Sequence, residues 1–341
     1  MRLAASRPAE QRGLTRDSIR LLVATTDGLA HARFSDLPRY LNPGDLVVIN
    51  TSATLAAAVD GQRRDGRPVT VHFSTPLDDG TWVIELRQPG PDRSRVTDAE
   101  PGETVTLPGA ASLTLLFRYP DPAADRLWVA AITGLADGSG GVETFLAAHG
   151  RPIRYSYVPD QWPLSAYQTV FSRAPGSAEM PSAGRPFTAD LVLDLITSGV
   201  VMAPVTLHAG VASLEAGEQP LPERFSVPDS TARLVNLTRS AGRRVVAVGT
   251  TVTRAVESAA DADGTVMARH GWTDLVLGTE HPARVVTGLI TGWHDPEASH
   301  LALLEAVAGR ALVRAAYAEV DKAGYLGHEF GDSCLLLPAI P

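Results

Sequence analysis

Apolar residues in this chain fall into short blocks separated by polar turns, and the spacing within the blocks changes twice. Arg20-Leu21-Leu22-Val23-Ala24, Asp45-Leu46-Val47-Val48-Ile49-Asn50, Val200–His208, Arg244-Val245-Val246-Ala247-Val248 and Val285–Thr291 are almost continuously apolar and rich in β-branched residues. Such runs read as strands buried on both faces, the pattern of a sheet covered by helices. Asp36–Gly44 reads as a short helical turn closed by Pro-Gly. Helical stretches interleave: one N-capped by Thr188 and closed by Gly199, one from Asp229 or Ser230 to just before Gly242, one after Gly249, and one opening at Asp295-Pro296. Together they predict an α/β main domain over residues 1–60 and 150–341.

Between 61 and 149 the texture differs. Val69–Ser74, Thr81–Arg87, Thr104–Leu107, Ser112–Tyr119 and Leu127–Ile132 are strand-like pieces separated by Gly, Pro and Asp turns, and Gly141–His149 reads as a short exit helix. Five or six strands at this spacing predict a small all-β barrel or sandwich inserted into the main domain.

Composition narrows the class. With 341 residues and 44% hydrophobic content, the chain can bury two cores. It contains no apolar run of membrane-spanning length and no apolar core of a signal peptide near Met1. The single cysteine, Cys334, lies in an apolar run and is expected to be buried and inert; one cysteine fits a reducing cytoplasm. Nine scattered histidines without ligand spacing give no metal site. A net charge of −8 argues against broad, nonspecific nucleic-acid binding, while leaving room for a local arginine patch.

Candidate chemistry gathers at the ends of the apolar strands, where open α/β sheets bind ligands. After Val248 come Gly249, Thr250 and Thr251, a tight turn into a helix whose free N–H groups and hydroxyls suit an anion. Arg254 and Glu257 follow at i, i+3, close enough to pair. His208 and His294 each fall just past a strand. Near a helix N-terminus a histidine stays neutral and serves as a base, or else it satisfies a loop carbonyl.

Several strings together resemble the S-adenosylmethionine:tRNA ribosyltransferase-isomerase family of queuosine biosynthesis. They are Pro43–Asn50, Gly150-Arg151-Pro152-Ile153 with Tyr167-Gln168-Thr169-Val170-Phe171, Gly176-Ser177 with Pro181, Ala183-Gly184 and Phe187-Thr188, then Val205-Thr206-Leu207-His208. Val248-Gly249-Thr250-Thr251 with Arg254 and Glu257-Ser258, Leu289-Ile290-Thr291 with His294 and Pro296, and Gly331-Asp332 complete the order. The resemblance implies an α/β main domain with an early β-barrel insert. It also implies transfer of the ribosyl portion of S-adenosylmethionine to the aminomethyl group of 7-aminomethyl-7-deazaguanine in tRNA, with adenine and methionine released. On this reading His294 or His208 is the base. Gln168, Gly249, Thr250, Thr251, Arg254 and Glu257 form the S-adenosylmethionine pocket. Asp332 orients the methionine ammonium or protonates adenine, and Trp293 either stacks on adenine or covers the core.

The chain departs from the family pattern at several points. The family's Asn-Asp-Thr-Arg is Asn50-Thr51-Ser52-Ala53, and a later arginine is Ala58. Gly-Leu-His-Phe-Thr is Gly184-Arg185-Pro186-Phe187-Thr188. His-x-Met-His-x-Glu has no counterpart near Gln219–Arg224. A lysine after the last histidine is Glu297, and Tyr-Arg-Phe before Gly-Asp is Tyr325-Leu326-Gly327. Lost cations and histidines are the types that grip phosphate or carry protons. Two other readings therefore stand beside the family activity: the same chemistry on a small-molecule acceptor or on the donor alone, and a non-catalytic binding protein on the same fold. Trp82, Trp128 and Trp162 are expected to pack. Arg63-Arg64-Asp65-Gly66-Arg67 is expected to be a solvated turn, as is Glu215–Glu218.

Overall fold

A computed structural model describes residues 5–90, 93–135, 141–154, 157–211, 220–294 and 300–340. The apolar blocks assemble into one nine-stranded sheet. Its order is Arg269–Thr273, Glu223–Val227, Val201–Leu207, Leu46–Asn50, Val245–Val248, Gly288–Gly292, Ser333–Leu337, Arg20–Thr25 and Gly28–Arg33. The four strands from Val201–Leu207 to Gly288–Gly292 run parallel. Ser333–Leu337 then reverses, and Arg20–Thr25 runs parallel to it.

That topology decides where the chemistry lies. The carboxyl ends of the four parallel strands and the amino ends of Ser333–Leu337 and Arg20–Thr25 all reach the same edge. His208, Asn50, Gly249, Gly292 and Asp332 are thereby aligned although hundreds of residues separate them in sequence. Helices bury both faces. Val48, Ala247 and Leu289 pack towards the helices Asp229–Ser240, Thr250–Ser258 and Arg310–Ala323. Val47, Val246 and Ile290 point to the opposite core with Leu191 and Leu195 of the helix Ala189–Thr197. The Thr188 hydroxyl caps that helix by accepting from Leu191 N–H at 3.2 Å.

Six antiparallel strands close the barrel in the order Leu127–Thr133, Trp82–Arg87, Pro68–Pro76, Ala58–Arg63, Thr104–Thr106 and Ser112–Tyr119. The sixth strand, Ala58–Arg63, straddles the change of texture at 60/61, where an Asp-Gly pair hides its periodicity. Trp82 and Trp128 fill the barrel region, and the helix Gly141–His149 seats Phe145 and Leu146 against it.

Three local expectations need correction. The strand expected over Val285–Thr291 begins only at Gly288, because the N–H groups of Arg284, Val285 and Val286 are taken by the Glu257 carboxylate at 2.8–3.0 Å. Arg63 is not solvated. It is 6% exposed and pairs with Glu103 and Asp98, which pins the hairpin to the barrel. Arg254 and Glu257 do not pair with each other. Arg254 instead reaches Glu223 and the carbonyls of Leu221, Thr273 and Leu275. The helix start at Asp295-Pro296 and the turn Glu215–Glu218 lie outside the described residues.

Candidate active site

Asn50 organises the strand ends. Its amide donates to Leu207 O at 2.9 Å and to the Thr251 hydroxyl at 3.3 Å, while its carbonyl accepts from Leu207 N–H and Ser52 N–H. One buried side chain thus ties together its own strand, the neighbouring strand and the start of the helix Thr250–Ser258. Gly249 turns the chain into that helix at φ 93°, and a Cβ there would meet Ala183 Cβ at 3.2 Å. The first-turn N–H groups have no acceptor within the helix and carry its partial positive charge.

On one flank His208 rests against a serine relay. Ser52 Oγ lies 2.8 Å from His208 Nδ1 and 2.6 Å from Ser177 Oγ, and both serines are fully buried. Burial, reinforced by the charge of Arg224, lowers the imidazole pKa below its usual value.

On the other flank three imidazoles stack. The ring of His294 lies 4.4 Å from that of His300, nearly parallel, and 5.0 Å from that of His328. His294 Nε2 meets the Thr291 hydroxyl at 3.2 Å, and His328 Nε2 meets Ser182 Oγ at 2.7 Å. None of these contacts is a carboxylate. Burial and then the neighbouring rings hold His294 well below the ordinary histidine value. The same causes bring His328 to about 4. Burial thus favours the neutral form of each ring, and a proton on one ring disfavours a proton on the next.

A narrow cleft beside the stack is lined by Arg16, Ser182, Arg185, His328, Glu329 and Asp332. Asp332 is saturated: Arg20 donates to it from its backbone and guanidinium at 2.7–3.0 Å, and Leu326 N–H donates at 2.8 Å. Glu329 differs. It is 8% exposed, and its Oε2 has no hydrogen-bond partner among the described residues. Burial pushes its pKa up to about 7 against the pull of Arg185.

The remaining candidates divide by what already occupies their polar atoms. Gln168 forms a two-way amide clasp with the backbone of Thr54, at 3.0 and 2.8 Å. Arg254 and Glu257 are buried and bound as described above, and the Arg254 charge still reaches the stack, where after burial it lowers the pKa of His300. Trp293 is 2% exposed and meets Tyr317 and Tyr325 edge-on, which leaves no accessible face for a purine. His208, Gly249, Thr250, Thr251 and His294 remain at the sheet edge. A larger cavity of about 630 Å³ lies against the barrel, with Asp60, His72, Arg87, Arg151 and Arg154 in its wall. Size favours it, and burial lowers the pKa of His72 in its wall, but the open helix terminus and the stacked imidazoles are at the strand ends.

The queuosine biosynthesis protein model matches residues 1–336, nearly the whole chain. The chain belongs to that family. The S-adenosylmethionine:tRNA ribosyltransferase-isomerase of Acidiphilium cryptum is 35% identical over 98% of this chain and 96% of its own length. Its namesake from Moorella thermoacetica is 34% identical over 96% of both. The crystal structure of the S-adenosylmethionine tRNA ribosyltransferase from Thermotoga maritima superposes with a TM-score of 0.53 at 27% identity, covering 98% of this chain and 96% of that one. The family fold, an α/β domain with a barrel insert, is the one seen here. Within that family three of the departures noted in the sequence fall on the site itself. Ser52 carries the His208 contact, Pro186 lines the cleft, and Tyr325-Leu326-Gly327 leads directly into His328 and Glu329. Neither His328 nor Glu329 stood out in the sequence, since a His-Glu pair before Gly-Asp reads as a polar turn.

Proposed function

We propose that this chain catalyses S-adenosylmethionine-dependent ribosyl transfer and isomerisation, with 7-aminomethyl-7-deazaguanine in tRNA as acceptor and adenine and methionine as products. The observation that carries the reading is a neutral imidazole, His294, at the same sheet edge as a helix terminus able to hold a carboxylate. The sulfonium acidifies the adjacent 5′ carbon, and an unprotonated imidazole is able to take the proton released there. Thr250, Thr251 and the first-turn amides are suited to the methionine carboxylate. His208, linked to Ser52 and Ser177, faces the opposite flank, where the acceptor amine must lose a proton as it attacks.

Incubation with S-adenosylmethionine and tRNA carrying the aminomethyl-deazaguanine tests this by chromatography of adenine and methionine. Stoichiometric release of both with modification of the tRNA is the expected result, lost in His294→Ala. Release that proceeds equally with a small amine, or with no acceptor, overturns the tRNA assignment and leaves the donor chemistry.

A further inference from the structure

We infer that Glu329 is the acid that protonates adenine as it leaves, a role that rests on the proposed ribosyl transfer. The starting point is an anomaly. Buried polar atoms are nearly always hydrogen-bonded, and a carboxyl with a bare oxygen in a cleft signals a partner that arrives with a ligand. Oε2 of Glu329 is such an atom: it is itself sealed from solvent, and its residue lines the cleft of about 20 Å³ beside the histidine stack, which the leaving base must widen to reach it.

The surroundings choose the chemistry of that partner. Arg185 is buried next to Glu329, and Arg16 shares the cleft. A third cation, such as the methionine ammonium, would meet two guanidiniums there, with the one carboxylate of Glu10 already shared between them. Burial first, and then the charge of Glu329, raises the phenols of Tyr157 and Tyr167, so neither of them takes its proton. His328, adjacent in the chain, keeps its Nε2 on Ser182. A protonated carboxyl in this setting suits an uncharged acceptor with a lone pair, as a purine ring nitrogen presents. Asp332, the acid suggested by sequence, has both oxygens engaged by Arg20 and Leu326 and is poorly placed to give a proton away.

The step balances within the site. As the bond from ribose to adenine breaks, its electron pair passes to the base, and the Oε2 proton moves to a ring nitrogen to give neutral adenine. The carboxylate left behind faces Arg185. His294 holds the proton taken from the 5′ carbon, and its return to Glu329, directly or through solvent, restores both groups.

The experiment follows adenine release from pH 5.5 to 9 with the full-length enzyme, S-adenosylmethionine and the modified tRNA. The unmutated enzyme is expected to lose activity above about pH 7. Glu329→Gln is expected to be slower by about 10²–10⁴-fold, with that basic limb gone and the calorimetric affinity for S-adenosylmethionine within about threefold. A sulfonium nucleoside whose base is methylated at N7 departs without needing a proton. With it, the Glu329→Gln deficit should shrink, and the basic limb of the unmutated enzyme should flatten. An unchanged rate and basic limb in Glu329→Gln, or the same deficit with the methylated base, overturns the inference alone. No adenine from the unmutated enzyme would instead remove the function on which it rests.

Discussion

Glu85 in the barrel and Glu329 at the strand ends are both buried glutamates, and for both burial is the largest influence, raising the pKa. Their outcomes are opposite. Around Glu85 the imidazole of His72, 3.6 Å away, and the charges of Arg87 and Arg126 overcome burial and draw the carboxyl down to about 2. Around Glu329 only Arg185 opposes burial, and that guanidinium is already engaged by Glu10, so the carboxyl rises to about 7. From an ordinary value of 4.5, each shift is worth about 3 kcal/mol, with opposite sign. A buried charge surrounded by its own partners is architecture. Each of the two keeps an Oε2 without a hydrogen bond among the described residues, so what sets them apart is the pair of arginines on Glu85 and the cleft beside Glu329.

The sharpest way to break this comparison is to remove the barrel carboxylate. Glu85→Ala leaves two arginines sharing no counter-charge inside the barrel, and breaking a buried pair in this way costs about 3–5 kcal/mol. Urea denaturation should show that loss, while calorimetric binding of S-adenosylmethionine, measured where the variant is folded, should be unchanged. A loss below about 1 kcal/mol would mean that the Glu85 cluster is no more structural than a surface pair.

The next effect concerns sign. Glu329 has its raised pKa in the folded state, so the fold binds the extra proton and its stability falls as pH rises from about 4.5 to 7. Glu85 has a lowered pKa, so its contribution is complete above 4.5 and is lost only as pH falls towards 2. Between pH 5 and 8 Glu329 alone of the two should act, by about 3 kcal/mol. The buried histidines titrate in the other direction over part of this range. The measurement is therefore the difference between the unmutated protein and Glu329→Gln at each pH, in which their contribution cancels. A difference that does not change between pH 5 and 8 would put Glu329 on the same footing as Glu85.

The comparison also marks how far sequence carries. The parallel strands were legible because continuous apolar runs are what two-sided burial requires, and the barrel because short alternating strands between turns have few other homes. Gly249, Thr250, Thr251, His208 and His294 were legible because each follows a strand whose direction the pattern implied. Pairing was not. Arg254 and Glu257 sit one turn apart, yet each finds better partners in Glu223 and in the amides of Arg284–Val286, segments that sequence spacing cannot bring near. Arg63 was misread for the same reason, since Asp98 and Glu103 lie a hairpin away. Glu329 was invisible because its significance lies in what it does not touch.

The smallest expected effect separates the two flanks of the sheet edge. His208 owes its position to Gly176, which has φ 150° and whose missing Cβ would stand 2.5 Å from His208 Nδ1. In Gly176→Ala the methyl group must displace the ring, and the backbone conformation is one that side chains rarely adopt. Together these should cost about 1–3 kcal/mol. The displaced ring also leaves Ser52, so the relay through Ser177 to Ala209 N–H is broken at its outer end. The histidine stack has no contact with Gly176 and should keep its depressed titration. In a proton NMR titration of the variant, His208 should therefore move towards its ordinary value while His328 stays near 4. If both move together, the two flanks form one coupled unit, and the proton taken from the donor and the proton lost by the acceptor share a single network of bases.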